Sequence, residues 1–437
     1  MERSTGAVRS PRSAAHPASQ TVDTIVVGAG QAGLAMSHEL TAQGRDHVVL
    51  DRGRVAERWL SQRWDSLHLL SPTWLNALPG HEYTDDDPDG YLSGRTFAAE
   101  LRRYATGFGA PVVEDAPVTA ATPDERGGWL VHTPGSSWRA ASLVVATGRA
   151  DVPHVPAAAA GLDPDIVQLT SAQYRKPGAL PPGAVLVVGA SASGVQIADE
   201  VRRSGRRVVL AVGSHSRMPR TYRGMDIMWW LASLGMLDRS VDAIADPAAH
   251  TEPSLQLIGR GRNVTLDLPA LAGRGVELVG RLQSLQGTRA GFAADLPRTA
   301  AAAQERLTRI IQRVEDLVRD RRLAAELLPA DPPAAFTPGP ARTGIDLAQE
   351  GIGTVIWATG YRRDHSWLPG AALAGGEIRQ RAGIAGLRGL YTVGMHFQSR
   401  RDSSTIGGVG LDAAAVAAHI GALRPRRRAH SMTRSLR

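Results

Sequence analysis

Two glycine-rich turns in this chain have the residue types and spacing to hold phosphate groups. One lies in TIVVGAGQAGLAMSHEL and the other in VLVVGASASGVQIADE, and each joins an apolar strand pattern to a helix pattern. At such turns the first small residue permits a tight bend, the second lets the backbone approach a pyrophosphate, and the third packs helix against strand. The residues at these three positions are Gly28, Gly30 and Gly33 in the first turn, and Gly189, Ser191 and Gly194 in the second. The helix N-terminus adds unpaired N–H donors, so the sequence predicts two dinucleotide sites.

The two predicted sites differ after the second strand of each unit. In the first unit, HVVLDRG places Asp51 at the strand end, where a carboxylate can accept hydrogen bonds from an adenosine ribose. The matching residue of the second unit is Val212, which is followed by Ser214, His215, Ser216 and Arg217. A carboxylate repels a 2′-phosphate and an arginine binds it, so the second site favours NADPH over NADH. The alternative for Arg217 is an exposed arginine in an arginine-rich chain.

Two strand patterns that end in Ala-Thr-Gly must form the cofactor-facing edges of these units. The first, over 141–149, ends in Thr147 and Gly148, and the second, over 353–361, ends in Thr359 and Gly360. Glycine at a strand end removes the Cβ that would obstruct a cofactor. A final strand, glycine-rich turn and helix follow from GLYTVG onward, and that helix can direct amide groups at a phosphate or flavin edge.

This order of patterns predicts an α/β protein with two interleaved Rossmann-like dinucleotide-binding domains. The first is expected over 21–175 and 346–422, and the second over 176–345 with a helical insertion at about 222–270. The segments 1–20 and 423–437 are expected to be disordered basic tails. Their arginines account for the formal net charge of +8 and leave the body near neutral, so sequence-specific nucleic-acid binding is not expected.

Composition is that of a globular protein of 437 residues with 43% apolar residues. No apolar run approaches the roughly 18 residues that a membrane span needs. The N-terminal segment lacks the apolar stretch of a secretory signal, so we expect a cytoplasmic location. A transit peptide is the alternative for this basic, serine-rich segment.

The order of the motifs resembles the flavin-containing monooxygenases, which are two-dinucleotide-binding flavoproteins. Over roughly 21–420, with RWDSLHLLSPTWLNALPG, YRGMDIMWW and IGTVIWATGY, the chain is similar to a bacterial subgroup often described as flavoproteins involved in potassium transport. The resemblance implies FAD at the first site and NADPH at the second. The FAD contacts that it implies beyond the glycines are Ala29, Asp51, Arg52, Arg58, Trp59, His68, Val118, Thr147, Gly148, Gly394 and Met395. The NADPH contacts are Ser193, Ser214, His215, Arg217, Thr359 and Gly360 beside the second turn.

One motif departs from this family. Its fingerprint F-x-G-x-x-x-H-x-x-x-(Y/W), anchored on Tyr174, requires Phe, Gly and His where the chain has Pro164, Ile166 and Thr170. The fold and cofactors are little affected by this departure. It puts in doubt the timing of hydride transfer and the retention of NADP⁺.

The reaction implied by the resemblance is NADPH-dependent monooxygenation with dioxygen, through a flavin C4a-(hydro)peroxide. The oxygen would pass to a nitrogen, sulfur or carbonyl group of a small organic substrate. The chain has no cysteine, which excludes the redox-active pair of disulfide-reducing flavoproteins. Two alternatives are an NADPH oxidoreductase that passes electrons to a quinone or carrier, favoured by the altered fingerprint, and a non-catalytic nucleotide-sensing regulator.

Few side chains are candidates for direct chemistry, and no metal is required. Asn76 and Ser71 could hydrogen-bond near flavin N5 or the oxygen adduct, and a turn-stabilising role is the alternative. His396 is a candidate proton donor or a structural histidine. Trp229 and Trp230 either line the way in for an apolar substrate or belong to the core or a homodimer contact.

Overall fold

The computed structural model describes residues 19–81, 87–244, 252–261 and 264–423. The predicted basic tails fall almost wholly outside these residues. The helices in this part are α1 (Gln31–Ala42), α2 (Glu57–Ser61), α3 (Gly94–Gly107), α4 (Ala192–Arg203), α5 (Ile227–Ser233), α6 (Leu268–Gly273), α7 (Leu296–Asp320) and α8 (Val409–Leu423). The strands are β1 (Ser19–Val27), β2 (His47–Leu50), β3 (Val112–Val113), β4 (Ala120–Pro123), β5 (Trp129–Thr133), β6 (Ser136–Val145), β7 (Val152–Pro153), β8 (Val167–Thr170), β9 (Ala184–Val188), β10 (Val208–Ala211), β11 (Ser216–Arg217), β12 (Thr221–Tyr222), β13 (Met225–Asp226), β14 (Leu255–Gln256), β15 (Glu277–Val279), β16 (Leu282–Gln286), β17 (Arg289–Phe292), β18 (Gly344–Asp346), β19 (Ile352–Trp357), β20 (Tyr361–Arg362), β21 (Leu373–Ala374), β22 (Glu377–Ile378), β23 (Gln380–Arg381), β24 (Ile384–Ala385) and β25 (Leu390–Thr392).

The first sheet has the order β23-β24-β25-β6-β1-β2-β3, and β5 joins β4 to β6. β25, β6, β1, β2 and β3 run parallel. The central strands are continuous apolar runs because they are covered on both faces. On one face α1 packs beside α3 and α8, with Leu34, Phe97 and Ala413 in a shared core.

The second sheet is parallel throughout, in the order β15-β10-β9-β19-β8. This order moves both predicted domain boundaries. The boundary at 175 assigned β8 to the first domain, and the boundary at 346 assigned β19 to it, but the two strands pair with each other in the second sheet. Strands remote in sequence pair here because the apolar run of β19 is buried on both faces, between β9 and β8. The two domains are interleaved as predicted, but the chain passes between them at other residues, before β8 and after β19.

The predicted insertion at about 222–270 is only partly helical where it is described. It contains α5 and the short strands β13 and β14, and α7 packs over it with Leu307 and Val314 against Trp230. Trp230 is fully buried and Trp229 packs edge-on against it at 4.8 Å between ring centroids. Of the two readings of this pair, the structure places Trp230 in the core.

Among the described residues, none of the helices combines the length and the apolar character required to cross a membrane.

Candidate active site between the two glycine turns

A cavity of about 1830 Å³ lies where the carboxyl ends of the parallel strands of both sheets meet. β1 and β6 lead into it from the first sheet, and β9, β10 and β19 from the second. Ligands of open parallel sheets bind at this edge. The two glycine turns, far apart in sequence, therefore line one space.

The first turn has the backbone that a pyrophosphate site requires. Gly28 has φ +111°, and a Cβ there would lie 2.6 Å from the carbonyl oxygen of Ala146. A Cβ on Gly33 would overlap the carbonyl oxygen of Gly28, so this glycine packs helix on strand and does not line the cavity. Gly30 lines the cavity and has no atom within 4 Å of the Cβ position. The open space beside Gly30 fits the pyrophosphate of a dinucleotide.

Asp51 lies at the cavity edge and is held by the turn itself. Its carboxylate accepts hydrogen bonds from the backbone N–H of Ala29 at 2.6 Å and of Gly53 at 2.9 Å. Burial raises the pKa of Asp51 above its usual value, against the opposing effect of these two donors and of Arg58 and Arg52. Both carboxylate oxygens keep a lone pair for ribose hydroxyls, so the prediction of a ribose-binding acid fits this geometry.

Arg52 and Arg58 both line the cavity and both pair with the buried carboxylate of Asp151. Arg58 also donates to the carbonyl oxygens of Thr147, at 3.0 Å, and Ala150, at 2.8 Å. It therefore braces the first Ala-Thr-Gly segment against α2 in addition to facing the cavity.

The second turn repeats the first in detail. Gly189 has φ +105°, and a Cβ there would lie 2.5 Å from the carbonyl oxygen of Ala358. Gly194 packs on Gly189 as Gly33 does on Gly28, and it does not line the cavity. Ser191 caps its helix with φ −81° and ψ −172°, against −84° and −172° for Gly30. The Ser191 side chain makes no capping hydrogen bond and lines the cavity, so its hydroxyl is placed for a ligand.

Besides Gly194, two predicted NADPH contacts do not lie at the cavity wall. Arg217 is buried, and its guanidinium donates to Asp267 at 2.7 Å, to Gln304 and to the carbonyl oxygen of Ala334 at 2.8 Å. His215 is also buried, beside the carbonyl oxygen of Gly213 at 3.1 Å, and burial lowers its pKa. Arg217 lies in β11, which pairs with β14, and His215 directly precedes that strand. The assignment of Arg217 to a 2′-phosphate does not match this geometry.

An arginine that the sequence did not single out, Arg281, does line the cavity near the end of β10. Arg281 follows β15, the parallel neighbour of β10, and it lines the cavity together with Gly213 and Ser214. Its guanidinium donates to Ser214 Oγ at 3.2 Å and lies 3.2 Å from the Cβ position of Gly213. Among the residues that the structure describes, no carboxylate forms an ion pair with Arg281. Its cation is thus available at the end of β10, where Asp51 stands in the first unit.

The candidate catalytic residues separate into two groups. Asn76 is buried, accepts a hydrogen bond from Ser71 Oγ at 2.6 Å, and donates to the carbonyl oxygen of Pro72 at 3.1 Å. It does not line the cavity, so the turn-stabilising alternative describes it. Ser71 and His396 do line the cavity, and the ring of His396 packs edge-on against Phe397 at 4.4 Å between centroids.

The remaining predicted contacts mostly reach the cavity. Those that line it are Trp59, His68, Val118, Thr147, Gly148, Gly394, Ser193, Thr359 and Gly360. Ala29 and Met395 are buried behind the wall. Tyr174, the one surviving fingerprint residue, is fully buried and donates to Glu200 at 3.1 Å on α4. Thr170, in the fingerprint histidine position, donates to the side-chain oxygen of Gln173 at 2.9 Å and so closes a local turn.

No cluster of three or more histidine or acidic side chains suited to a metal occurs in the described ranges.

Comparison with known proteins places the chain in a family. Residues 25–224 match the family profile described as "Pyridine nucleotide-disulphide oxidoreductase". The chain is 30% identical over 396 residues to a Geobacillus kaustophilus protein named "Uncharacterized oxidoreductase CzcO-like", with 90% of this chain and 96% of that protein covered. The chain belongs to the CzcO-like oxidoreductase family. The chain has no cysteine, so it lacks the redox pair for disulfide reduction.

Further similarities extend to named monooxygenases. The CzcO-like chain is 27% identical to the rice (Oryza sativa subsp. japonica) "Indole-3-pyruvate monooxygenase YUCCA1", over 85% of this chain and 86% of that relative. The solved flavin-containing monooxygenase from Stenotrophomonas maltophilia has a TM-score of 0.61 at 19% identity and covers 92% of this chain and 99% of its own. "OTEMO complex with FAD and NADP" has a TM-score of 0.52 at 16% identity, over 93% and 86%. The predicted fold and the oxidoreductase class are confirmed, and FAD and NADPH are the cofactors that the two glycine turns predict.

Proposed function

We propose that the chain is an NADPH-dependent FAD monooxygenase that oxygenates a nitrogen, sulfur or carbonyl group of a small organic molecule. The observation that carries this proposal is that two phosphate-binding turns with matching backbones face a single cavity. A bound FAD would supply hydride acceptance and dioxygen activation, and the protein supplies position and a dry environment. The similarity to a named monooxygenase over 85% of the chain adds support.

The first turn would hold FAD. The amides at the start of α1 would hold its pyrophosphate, for which the bare Cα of Gly30 leaves room, and Asp51 would accept from the adenosine ribose. Asp51 is fixed by two backbone donors, so its carboxylate is oriented before the ligand arrives.

The second turn would hold NADPH with its 2′-phosphate at Arg281. The Arg281 guanidinium and the Ser214 hydroxyl already lie 3.2 Å apart at the end of β10. Each can donate to a phosphate oxygen. Among the described residues, the carboxylate of Asp295 accepts from the backbone N–H of Arg281 at 3.0 Å and forms no ion pair with its guanidinium. This assignment replaces Arg217 and keeps the predicted preference for NADPH.

The substrate end of the cavity has an apolar wall. Leu70 and Trp74 come from the segment after α2, Met228 and Leu237 from the insertion, and Ile406 from the loop before α8. Such a wall excludes water from the reacting groups and fits a substrate with an apolar or aromatic body. Polar residues that line the cavity include Ser71 and His396, and the Ser71 hydroxyl, which donates to Asn76, can still accept a hydrogen bond.

The test is oxygen-coupled turnover by the FAD-loaded protein. Consumption of NADPH should require dioxygen, and a panel containing a tertiary amine, a thioether and a ketone should yield at least one product heavier by one oxygen atom. Label from ¹⁸O₂ should appear in that product. Fast NADPH oxidation with product absent throughout the panel would contradict monooxygenation.

A second function, electron transfer from NADPH to a quinone or carrier, is favoured by the altered fingerprint at Thr170, whose hydroxyl serves a local turn. Quinone reduction under anaerobic conditions at a rate above that of oxygen consumption would support it. Absence of flavin reduction by NADPH would contradict both functions and leave the regulatory one.

A further inference from the structure

Arg149 is a cavity-lining arginine without a role in the sites described above. It follows Gly148 at the end of the first Ala-Thr-Gly segment. The segments after the two Ala-Thr-Gly motifs meet through β7 and β20, in the register Tyr361↔Pro153 and Arg362↔Val152. This pairing brings the region of Arg149 beside the residues that follow β20.

Three guanidinium groups line this part of the cavity, and two of them have fixed partners. Arg63 lies over the rings of Trp59 and Tyr361, at 5.5 and 5.8 Å from their centroids. Arg363 pairs with Glu377 at 2.7 Å. Among the described residues, the one side-chain contact of Arg149 is a long hydrogen bond, 3.4 Å, that it donates to Ser254 Oγ. In the described part of the chain, no carboxylate lies within ion-pair distance of Arg149.

The surroundings of Arg149 make an unpaired cation costly. Arg149 is exposed to the cavity, yet enough protein surrounds it that burial lowers its pKa, with Arg63 and Arg363 acting in the same direction. Arg363 has Glu377 as its partner, whereas Arg149 has no acid among the described residues, so a bound anion would stabilise its charge.

Ser254 shows which region Arg149 faces. Two residues along, Gln256 is buried and donates through Nε2 to the carbonyl oxygen of Ala190 at 2.7 Å, within the second glycine turn. Arg149 thus extends from the first domain toward the segment that covers the second turn. An anion held there would touch both domains.

We propose that Arg149, with Arg63 and Arg363 beside it, binds an anionic phosphate or carboxylate group of a ligand in the cavity. The position beside the segment over the second turn favours the pyrophosphate of the nicotinamide dinucleotide, and a substrate carboxylate is the other source of the same chemistry. The dinucleotide source rests on the proposed function, since it needs NADPH at the second turn.

The test compares dissociation constants of NADP⁺ and NAD⁺ for the FAD-loaded protein at fixed ionic strength. Both dinucleotides carry the pyrophosphate, so Arg149→Gln should weaken both by about tenfold or more and leave their ratio unchanged. Arg149→Lys should weaken dinucleotide binding less than Arg149→Gln does, because lysine keeps the positive charge. Arg281→Gln should weaken the binding of NADP⁺ alone. Arg309 is an exposed arginine on α7, so Arg309→Gln controls for the change in net charge.

A carboxylate source gives a different pattern. The dissociation constants of both dinucleotides would stay unchanged in Arg149→Gln. Phenylacetate would inhibit NADPH oxidation by the wild type more than neutral phenylacetamide does, and this difference would be lost in the variant. Unchanged binding of dinucleotides and phenylacetate in a variant with wild-type FAD content overturns the proposal. Arg149→Met replaces Arg149→Gln if the latter fails to retain FAD. Wild-type protein that binds neither dinucleotide refutes the proposed function, and direct binding of phenylacetate then decides the anion site.

Discussion

The two glycine turns have nearly the same backbone conformation, but the side chains beside them differ. Gly30 and Ser191 share φ and ψ within a few degrees, and Gly28 and Gly189 meet equivalent carbonyl oxygens. The units diverge at the next strand end, where the first presents Asp51 and the second presents Gly213 and Ser214 beside Arg281. Under the proposed function, backbone geometry provides a general pyrophosphate site, and one charged side chain decides which adenosine each site accepts.

The charged side chains of the two units also come from different strands. Asp51 follows its own β2 directly, whereas Arg281 arrives from β15, the strand beside β10. The arginine close in sequence, Arg217, is instead part of the core beneath α7.

The largest expected effect is loss of FAD on Gly30→Val. A branched side chain would fill the open space where the pyrophosphate is placed, and the purified variant should be colourless where the wild type is yellow. The measurement is FAD per protein by absorbance after gel filtration. Gly107→Val is the matched control, since Gly107 ends α3 with equal free space and lies away from the cavity. FAD content equal to that of the control would remove the first-site assignment.

The next effect separates the buried arginine from the cavity arginine. Arg217→Gln should lower the free energy of unfolding by about 3 to 5 kcal/mol, because it leaves the buried Asp267 carboxylate without its partner. The ratio of the NADP⁺ and NAD⁺ dissociation constants should not change in the folded fraction. Urea unfolding followed by tryptophan fluorescence gives the first quantity, with Arg309→Gln as the exposed control. A changed ratio at wild-type stability would restore Arg217 to the phosphate site.

Arg281→Gln should show the opposite pattern. Loss of a charge-assisted hydrogen bond to phosphate costs about 1.5 to 3 kcal/mol, or roughly ten- to a hundredfold in NADP⁺ affinity. Stability and NAD⁺ affinity should remain near wild type, because Arg281 is exposed and has Ser214 as its side-chain partner. Isothermal titration with both dinucleotides measures this. Equal losses for the two would mean that Arg281 contacts a group other than the 2′-phosphate.

The smallest effect concerns the one difference within the turns. Ser191→Gly makes the second turn match the first, and it should weaken NADP⁺ and NAD⁺ alike by about 0.5 to 1.5 kcal/mol through loss of one hydroxyl donor. Tighter binding in the variant would show that the hydroxyl obstructs the pyrophosphate, and that glycine is the better residue there.

Much of this arrangement is predictable from sequence because it is local. The spacing of Gly28, Gly30 and Gly33 fixes a turn through sterics within six residues, and Asp51 follows at the end of the next strand. The same local reasoning predicted the second turn and both Ala-Thr-Gly edges.

The features that sequence reading missed depend on pairing between distant strands. Arg281 reaches Gly213 only because β15 lies beside β10, and no periodicity within either segment shows that pairing. The boundaries at 175 and 346 were displaced because β8 and β19 pair across almost the whole second domain. For Asn76 the sequence leaves a role near the flavin and a turn-stabilising role both open, and its hydrogen bonds to Ser71 and Pro72 in the folded turn favour the second.

The most direct test of the account is a crystal structure of the FAD-loaded protein with NADP⁺. The account predicts FAD along the first turn and the 2′-phosphate of NADP⁺ within hydrogen-bonding distance of the Arg281 guanidinium and Ser214 Oγ, with Arg217 still paired to Asp267. A 2′-phosphate that contacts Arg217, or that lies away from both arginines, would contradict it.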